Sequence, residues 1–308
     1  MPADMLTSRE VAAYLGIHEK HVYRLLRQGR LPGTRVTGRW VFSRRLVKEW
    51  IEASSREAVK SARRPTTIAG VEPHHLTIVG SDDLLLQILQ REFNRRHPSM
   101  LVTSALMSSM AGLEAVKERR AHVAGIHLLD PASGEYNRPH VAAAFGQRRA
   151  LLVTLAHRQE GLMLPPSNPR KIRGLADIVR LRLRLAGREL GSGVRALQDH
   201  LLGEAKRRGR TVQPLELQTH LEVATAVVDG RADAGIGVQA AARSLGLEVI
   251  PLALERYDLM TTEEAFYHRP TQTFFEMIKS DWLRRIIANL PGYDARETGL
   301  LTVVQPEE

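Results

Sequence analysis

The stretch Thr7-Ser-Arg-Glu-Val-Ala-Ala-Tyr-Leu-Gly-Ile-His-Glu-Lys-His-Val-Tyr-Arg-Leu-Leu-Arg-Gln-Gly-Arg-Leu-Pro32, followed by Gly38-Arg-Trp-Val-Phe42 and Arg44-Arg-Leu-Val-Lys-Glu-Trp-Ile51, decides the reading of the first fifty residues. Thr7 and Glu10 stand at capping-box spacing, where a hydroxyl and a carboxylate three residues apart satisfy each other's backbone N–H groups. Val11, Ala12 and Leu15 follow as an apolar stripe, which predicts a short helix that Gly16 stops. From Glu19 onward Val22, Leu25 and Leu26 repeat at helical spacing. A second helix that buries them turns His18, Lys20, His21, Tyr23, Arg24 and Arg27 away from the core. Two short helices around a glycine turn make a helix-turn-helix. Gly29 and Pro32 end the second helix, and Val36, Trp40 and Phe42 alternate about Thr37-Gly38 as a small hairpin wing. A third helix from about Arg44 to Ala53 closes the core with Leu46, Val47, Trp50 and Ile51, and Trp40 and Tyr14 are read as core.

These landmarks, in this order over about 45 residues, resemble the MerR-like and excisionase-type winged helix domains. The resemblance implies that the second helix enters the major groove of double-stranded DNA. There His18, Lys20, His21, Tyr23, Arg24 and Arg27 reach base edges or phosphates, while Arg35 and Arg39 on the wing hold the backbone. A basic helix pair that binds another protein is the plainer alternative. Charge supports the first reading. Residues 1–75 hold 14 Lys or Arg against 7 Asp or Glu, and the remainder 30 against 27, so most of the net charge of +10 sits on a quarter of the chain. Such a patch neutralises phosphates with steep salt dependence but does not by itself specify a sequence.

A chain of 308 residues with 43% hydrophobic residues can bury large cores, and its length suggests two or three domains. It contains no cysteine, which excludes disulfides and thiolate metal sites. No run of about 18 apolar residues is present, and the N-terminus enters a capped helix without an apolar leader, so a cytoplasmic protein is expected.

Residues 54–75 lose all sustained periodicity and carry an Arg63-Arg64-Pro65 cluster, which reads as a linker between a domain over 1–53 and another over 76–308. His74 and His75 have no further ligand at metal spacing and lead into a strand. From Leu76 the pattern alternates between apolar runs and helices. Leu76–Gly80, Leu101–Thr103 and Val123–Ile126 read as strands, and Leu84–Arg95 and Gly112–Arg120 as helices, which predicts a parallel sheet. Ligands of such sheets meet the loops beyond the strand ends, here Gly80-Ser81-Asp82, Ser108-Ser109-Met110 and His127-Leu-Leu-Asp130. A second unit follows through Leu183–Gly187, Arg188-Glu-Leu-Gly-Ser-Gly-Val-Arg195, His220–Asp229 and Gly230–Gly237.

With Pro251–Asp258 and Gly292–Gly299, these elements resemble a type II periplasmic-binding-protein-like domain, in the cytoplasmic branch related to molybdate-binding proteins, over roughly Leu76 to Val304. The expected fold is α/β: an N-terminal winged helix-turn-helix and a two-lobed domain, with lobe 1 at about 76–150 and 258–304 and lobe 2 at about 157–250. The resemblance implies a hinged cleft between the lobes, with the chain crossing near 151–157 and returning near 251–257. Carried over by position, Ser81, Ser108 and Ser109 donate from lobe 1, and Ser192, Gly193 and Arg195 from lobe 2. His127 is counted with this ligand-binding set, although packing at a strand end is its plainer role.

The chemistry suits an oxyanion, because hydroxyls and backbone N–H groups at helix starts recognise a tetrahedral dianion without a cavity full of cations. Arg195 could pair with the anion or brace Asp199 one helical turn on. Asp82 and Asp130 speak for helix caps, or for a ligand bearing an amine or hydroxyl. Asp233 reads as holding a loop or the hinge. No nucleophile elbow, complete phosphate loop, dinucleotide fingerprint or His-Glu-x-x-His motif is present. The sequence therefore predicts no enzyme, catalytic residue, metal or cofactor. It predicts a homodimeric, one-component regulator of transcription that senses molybdate or tungstate. A regulator of an organic ligand and an oxyanion store for cofactor assembly are the alternatives.

Overall fold

The computed structural model describes residues 4–27, 31–36, 39–52, 74–203 and 214–305. The chain divides into two compact units, Met1–Pro65 and Thr66–Glu308. Much of the stretch read as a linker, and the Thr37-Gly38 turn, lie outside the described residues.

In the first unit, Thr7 and Glu10 form the expected capping box at the head of helix Ser8–Leu15, and Gly16 ends it in the left-handed conformation. Helix Glu19–Arg27 follows. Strands β2 (Thr34–Val36) and β3 (Arg39–Ser43) pair antiparallel, and residues 44–52 are helical. One strand was not foreseen. Met5–Thr7, β1, pairs antiparallel with β3, so the wing is a three-stranded sheet in the order β1-β3-β2. Leu6, Val11, Ala12, Val22, Leu31, Phe42 and Val47 form the core, with Trp40, Trp50 and Ile51 packed on it. Two expected core residues lie outside it, since Tyr14 is 47% exposed and Leu46 is 43% exposed. In so short a helix the faces carrying Val11 and Val47 meet the core, and neighbours beyond the apolar stripe stay wet.

The second unit is built on one ten-stranded sheet. Its strands are β4 (His75–Gly80), β5 (Leu101–Leu106), β6 (Val123–Ile126), β7 (Ala150–Leu164), β8 (Leu185–Arg188), β9 (Leu215–Leu217), β10 (Ala234–Val238), β11 (Glu248–Thr262), β12 (Tyr293–Asp294) and β13 (Leu301–Val304). They run in the order β5-β4-β6-β11-β7-β10-β8-β9, with β12 and β13 also on β7. Each flank is parallel, β5-β4-β6 on one side and β10-β8-β9 on the other, as alternating strands and helices require. The sheet as a whole is mixed, not parallel as the sequence suggested. The 15-residue strands β7 and β11 pair antiparallel along almost their whole length and run from one flank into the other.

Each flank is covered on both faces. Leu76, Ile78, Leu89, Phe93, Leu259 and Phe274 form one core of the first lobe, and Val79, Leu113, Ile126, Val141 and Leu152 the other. The second lobe has corresponding cores around Leu162, Leu185, Val194 and Ile236, and around Met163, Val223, Val227 and Leu247. The ladder shifts register between Pro251 and Ala253 and again between Tyr257 and Asp258, so the strand pair bends where the lobes face each other.

Candidate ligand cleft and DNA-facing helix

Three helix starts and two long strands converge between the lobes. Ser108 caps helix Ser109–Lys117, its hydroxyl accepting from Ala111 N, and buries Ser109 entirely. That helix starts three residues before the predicted Gly112, because the cap is Ser108. Across the cleft, Ser192 caps helix Gly193–Leu201, accepting from Arg195 N at 3.2 Å and donating to the Glu189 carbonyl at 2.8 Å. Thr219 caps helix His220–Val228 and brings the buried His220 ring to the same region.

The lobes are closed on each other. Met110 N donates across to Gly191 O at 3.3 Å, and the backbone N–H of His220 donates to the Asp82 carboxylate. Gly193 lies so close to His127 that a Cβ would stand 2.0 Å from the His127 carbonyl oxygen and 2.5 Å from Nδ1. Only glycine permits that approach.

The floor of the cleft is a buried ionic cluster on β7 and β11. Arg158 on β7 stands opposite Glu255 on β11 in the ladder. Its Nε donates to Glu255 Oε1 at 2.7 Å, and its Nη2 bonds the same oxygen. Its Nη1 donates to Asp83 Oδ2 at 2.8 Å, and its carbon lies 4.3 Å above the Tyr257 ring. Asp83 also caps helix Leu84–Arg96 and accepts from the Tyr293 hydroxyl at 2.7 Å. His127 continues the chain. Its Nδ1 lies 2.7 Å from Glu255 Oε2 and its Nε2 lies 2.8 Å from Ser81 Oγ, a serine–histidine–carboxylate connectivity in which the carboxylate fixes the tautomer of the ring. Arg158, Glu255, His127 and Ser81 are all essentially inaccessible to water.

Burial opposes ionisation of Glu255, but the Arg158 charge and then His127 prevail and hold its pKa down at about 2. Glu160, two residues from Arg158 on β7, goes the other way. Burial and the Glu255 charge push it well above the usual carboxylate range, and neither of its oxygens receives a donor, so it is a protonated acid able to donate to Glu255. Burial, then Arg188 and Arg158, push His220 well below the ordinary imidazole value. Its Nδ1 accepts from Val238 N at 3.2 Å, so the hydrogen of the neutral ring is on Nε2. Burial and the neighbouring Asp83 raise Asp82.

Among the described residues, Ser109 Oγ, Arg188 Nη1, His220 Nε2, the Gln198 amide and the Glu160 carboxyl are buried without a hydrogen-bond partner. Buried polar groups rarely stay unpaired in a folded chain, so those of this set that face the cleft are candidates to bond a polar ligand. No group of three or more His, Asp or Glu among them is arranged to hold a metal ion.

The residues named from the sequence separate here. Ser81, Ser109, His127, Ser192 and Gly193 come together at the cleft, with Ser108 at its rim, where its hydroxyl lies 3.0 Å from a Cβ built on Gly191. Arg195 takes the bracing role, binding Asp199 at 3.1 Å and Glu216 at 2.6 Å. Asp130 is spent on its own turn, accepting from Ser133, and Asp233 holds Arg184 and Arg170. Arg158, Glu160, Arg188, Gln198, His220 and Glu255 were missed. Arg158 and Glu160 did leave a signal, as two charges of the same parity inside the mostly apolar strand Ala150–Leu164.

On the first unit, His18, Lys20, His21, Tyr23, Arg24 and Arg35 are exposed, as the sequence pattern requires. Two of them also serve the fold: His18 Nδ1 accepts from Lys20 N at 3.3 Å, and the Tyr23 hydroxyl lies 3.0 Å from Ser8 Oγ. The side chains of Arg27 and Arg39 lie outside the described residues.

Residues 90–279, more than half of the chain, match the family model of the PBP superfamily domain. The chain belongs to that superfamily. Residues 5–55 match a helix-turn-helix domain, so the protein joins a DNA-binding type of domain to a ligand-binding type. The uncharacterised protein YvgK of Bacillus subtilis (strain 168) is 27% identical over 303 residues, 95% of this chain and 96% of its own length. An uncharacterised Clostridium pasteurianum protein from the 5′ region of a 2Fe-2S ferredoxin gene is 35% identical over 89 residues, 27% of this chain and 75% of its own. Among solved structures, a putative phosphate ABC transporter substrate-binding protein from Clostridium perfringens, with bound phosphate, aligns at a TM-score of 0.54. It is 15% identical and covers 70% of this chain and 96% of that one. The regulatory domain of Synechocystis PCC6803 CcmR, in complex with 2-PG, aligns at 0.50 with 13% identity, over 70% and 97% of the two chains. Both share the fold. No described helix is long and apolar enough to cross a membrane.

Proposed function

We propose that this chain is a one-component transcription regulator of the cytoplasm, which binds an operator through its first unit and senses a small oxyanion in the interlobe cleft. It is non-catalytic in this reading, with one lobe at about 76–150 and 258–304 and the other at about 157–250. The observation that carries it is the set of buried donors without partners, Ser109 Oγ, Arg188 Nη1 and His220 Nε2, beside the starts of helices Ser109–Lys117 and Gly193–Leu201. Helix starts concentrate unbonded N–H groups and partial positive charge, which suit a tetrahedral anion. Molybdate and tungstate are the first candidates, and the phosphate bound to the Clostridium perfringens relative in fold is of the same chemical kind. The buried carboxyl groups of Asp82 and Glu160 favour a second reading, a small organic ligand with hydroxyl groups.

Lys20, His21 and Arg24, with Tyr23, His18, Arg27, Arg35 and Arg39 around them, form the DNA-facing set. A homodimer follows because one short reading helix covers only a half-site. Closure of the cleft then alters operator affinity to the extent that the ligand prefers one lobe arrangement. The test has two steps. Thermal unfolding against molybdate, tungstate, sulfate, phosphate and small organic acids finds the ligand, because only a binder of the native state raises Tm. Duplexes selected by the full-length protein from a random pool are then titrated by fluorescence anisotropy with and without that ligand. A changed Kd supports the regulator, and an unchanged Kd with a ligand that does raise Tm refutes the coupling. Oxyanion binding with no DNA retention at all would make the chain an oxyanion store.

A further inference from the structure

Ser81 has one hydrogen and two claims on it. Glu255 is held ionised by two bonds from Arg158, so it can only accept, and His127 Nδ1 therefore carries a hydrogen toward Glu255 Oε2. With the ring neutral, His127 Nε2 has a lone pair and takes the Ser81 hydrogen across 2.8 Å. Ser81 Oγ then turns only lone pairs to the cleft, and lone pairs repel a dianion.

We propose that an aprotic dianion such as molybdate enters this cleft together with one proton from solvent, which protonates His127 at Nε2 and frees the Ser81 hydroxyl to donate to the ligand. This deepens the oxyanion reading and rests on it. One N–H bond forms at His127 Nε2 and the solvent or buffer loses one proton. The Ser81 O–H bond stays intact and rotates from His127 to the ligand. The imidazolium then donates from both nitrogens, to Glu255 and to Ser81.

Every element around His127 bears on this proton. Glu255 on β11 favours it, while Arg158 on β7 and Arg188 on β8 oppose it. The Tyr257 ring stacks at 5.8 Å, the neutral His220 ring lies at 6.4 Å, and Ser81 closes the remaining side. Without an anion, burial and the two guanidinium groups keep the ring neutral, despite Glu255. A dianion beside Ser81 adds two negative charges in a site that excludes water, and reverses the balance. The proton cannot come from within the cluster. Passing the Glu160 hydrogen through Glu255 to His127 would leave Glu160 ionised, buried and without a donor. His220 cannot take it either, because its Nδ1 is bonded to Val238 N. Hydrogen phosphate brings its own hydrogen, donates it to Ser81 Oγ and needs no proton from solvent.

The test is isothermal titration calorimetry of the full-length protein with sodium molybdate, at about pH 7.5, in buffers of different ionisation enthalpy. Slope against buffer enthalpy reads protons taken up. The expected result is about one proton per molybdate, a Kd that weakens about tenfold per pH unit on raising pH, and near-zero uptake with phosphate. In His127→Asn the uptake disappears while molybdate still binds, more weakly. Heat independent of buffer in the unmodified protein overturns the proposal and leaves the oxyanion site standing. Uptake that persists unchanged in His127→Asn also overturns it, by moving the proton to another group such as Asp82. No binding of molybdate, tungstate or phosphate at any pH overturns the oxyanion reading and the proton with it.

Discussion

The two units put their charges to opposite uses. On helix Glu19–Arg27 the charged residues Lys20 and Arg24 stand in water, and none of the core residues Leu6, Val11, Val22, Phe42 and Val47 depends on them. In the cleft, Arg158, Glu160, Arg188 and Glu255 are sealed from water at the crossing of the two lobes. A charge in water needs no partner and can wait for a phosphate. A charge in the interior must be matched by the chain itself: Arg158 finds Glu255 and Asp83 on two other elements, while Arg188 pairs with its own neighbour Glu189. The first arrangement makes function separable from stability; the second ties them together.

The largest effect expected from this contrast is at Arg158. Replacing it with Met leaves Glu255 and Asp83 buried without their cation, and breaking a buried pair from one side costs about 3–5 kcal/mol. The urea midpoint of the second unit should fall accordingly. A loss within about 1 kcal/mol would mean that both carboxylates simply take up protons, and that the cluster adds little to the fold.

Gly193→Ala is the next largest. Its new methyl would meet the His127 carbonyl and ring, so the closed state is overpacked by about 1–3 kcal/mol, while an open state is untouched. Molybdate Kd should rise about tenfold to a hundredfold with little change in the Tm of the unliganded protein. A large Tm drop with unchanged affinity would show that closure does not depend on this approach.

Acid should act through buried imidazoles. His122 accepts from Thr77 N at 3.0 Å and stacks on His268 at 4.9 Å; burial and then His268 push its pKa down to about 4. The unfolded chain therefore binds a proton below about pH 6.5 that the native chain refuses. Stability is full above that pH and is lost as pH falls toward 4, by about 1–2 kcal/mol after allowing for solvent screening. The depressed His127 and His220 act in the same direction. A Tm that stays flat over that window in the unmodified protein would refute this.

The same contrast explains what the sequence revealed. The helix-turn-helix was legible because its signals are local: Thr7 with Glu10, Gly16 after Leu15, Val22 with Leu25 and Leu26. The hydroxyl half of the cleft was legible too, since Ser108 and Ser192 are caps and caps sit next to the helix they start. The ionic half was not. Arg158 meets Glu255 across 97 residues of chain, and Asp83 across 75, so no spacing in the sequence announces either pair. The mixed sheet was hidden for a related reason: nothing local in β7 or β11 says that two strands so far apart will pair antiparallel. Strand β1 is only three residues long, too short for its alternation to be told from the helix cap that follows.

Arg24→Ala should have the smallest effect on folding and tests the surface side of the contrast. Arg24 is exposed on helix Glu19–Arg27, so its removal should change stability by no more than about 0.5 kcal/mol. DNA affinity should nevertheless fall. If Arg24 meets a phosphate, the loss is uniform across duplex sequences and the slope of log K against log salt shrinks by about 1. If it meets a base edge, the loss is confined to one position of the selected site, at about 1–3 kcal/mol. Anisotropy titrations at two salt concentrations, on the selected duplex and on its single-base variants, separate the two. Unaltered affinity on all of them would remove Arg24 from the interface, and a marked fall in Tm would show that this surface charge is tied to the fold as Arg158 is.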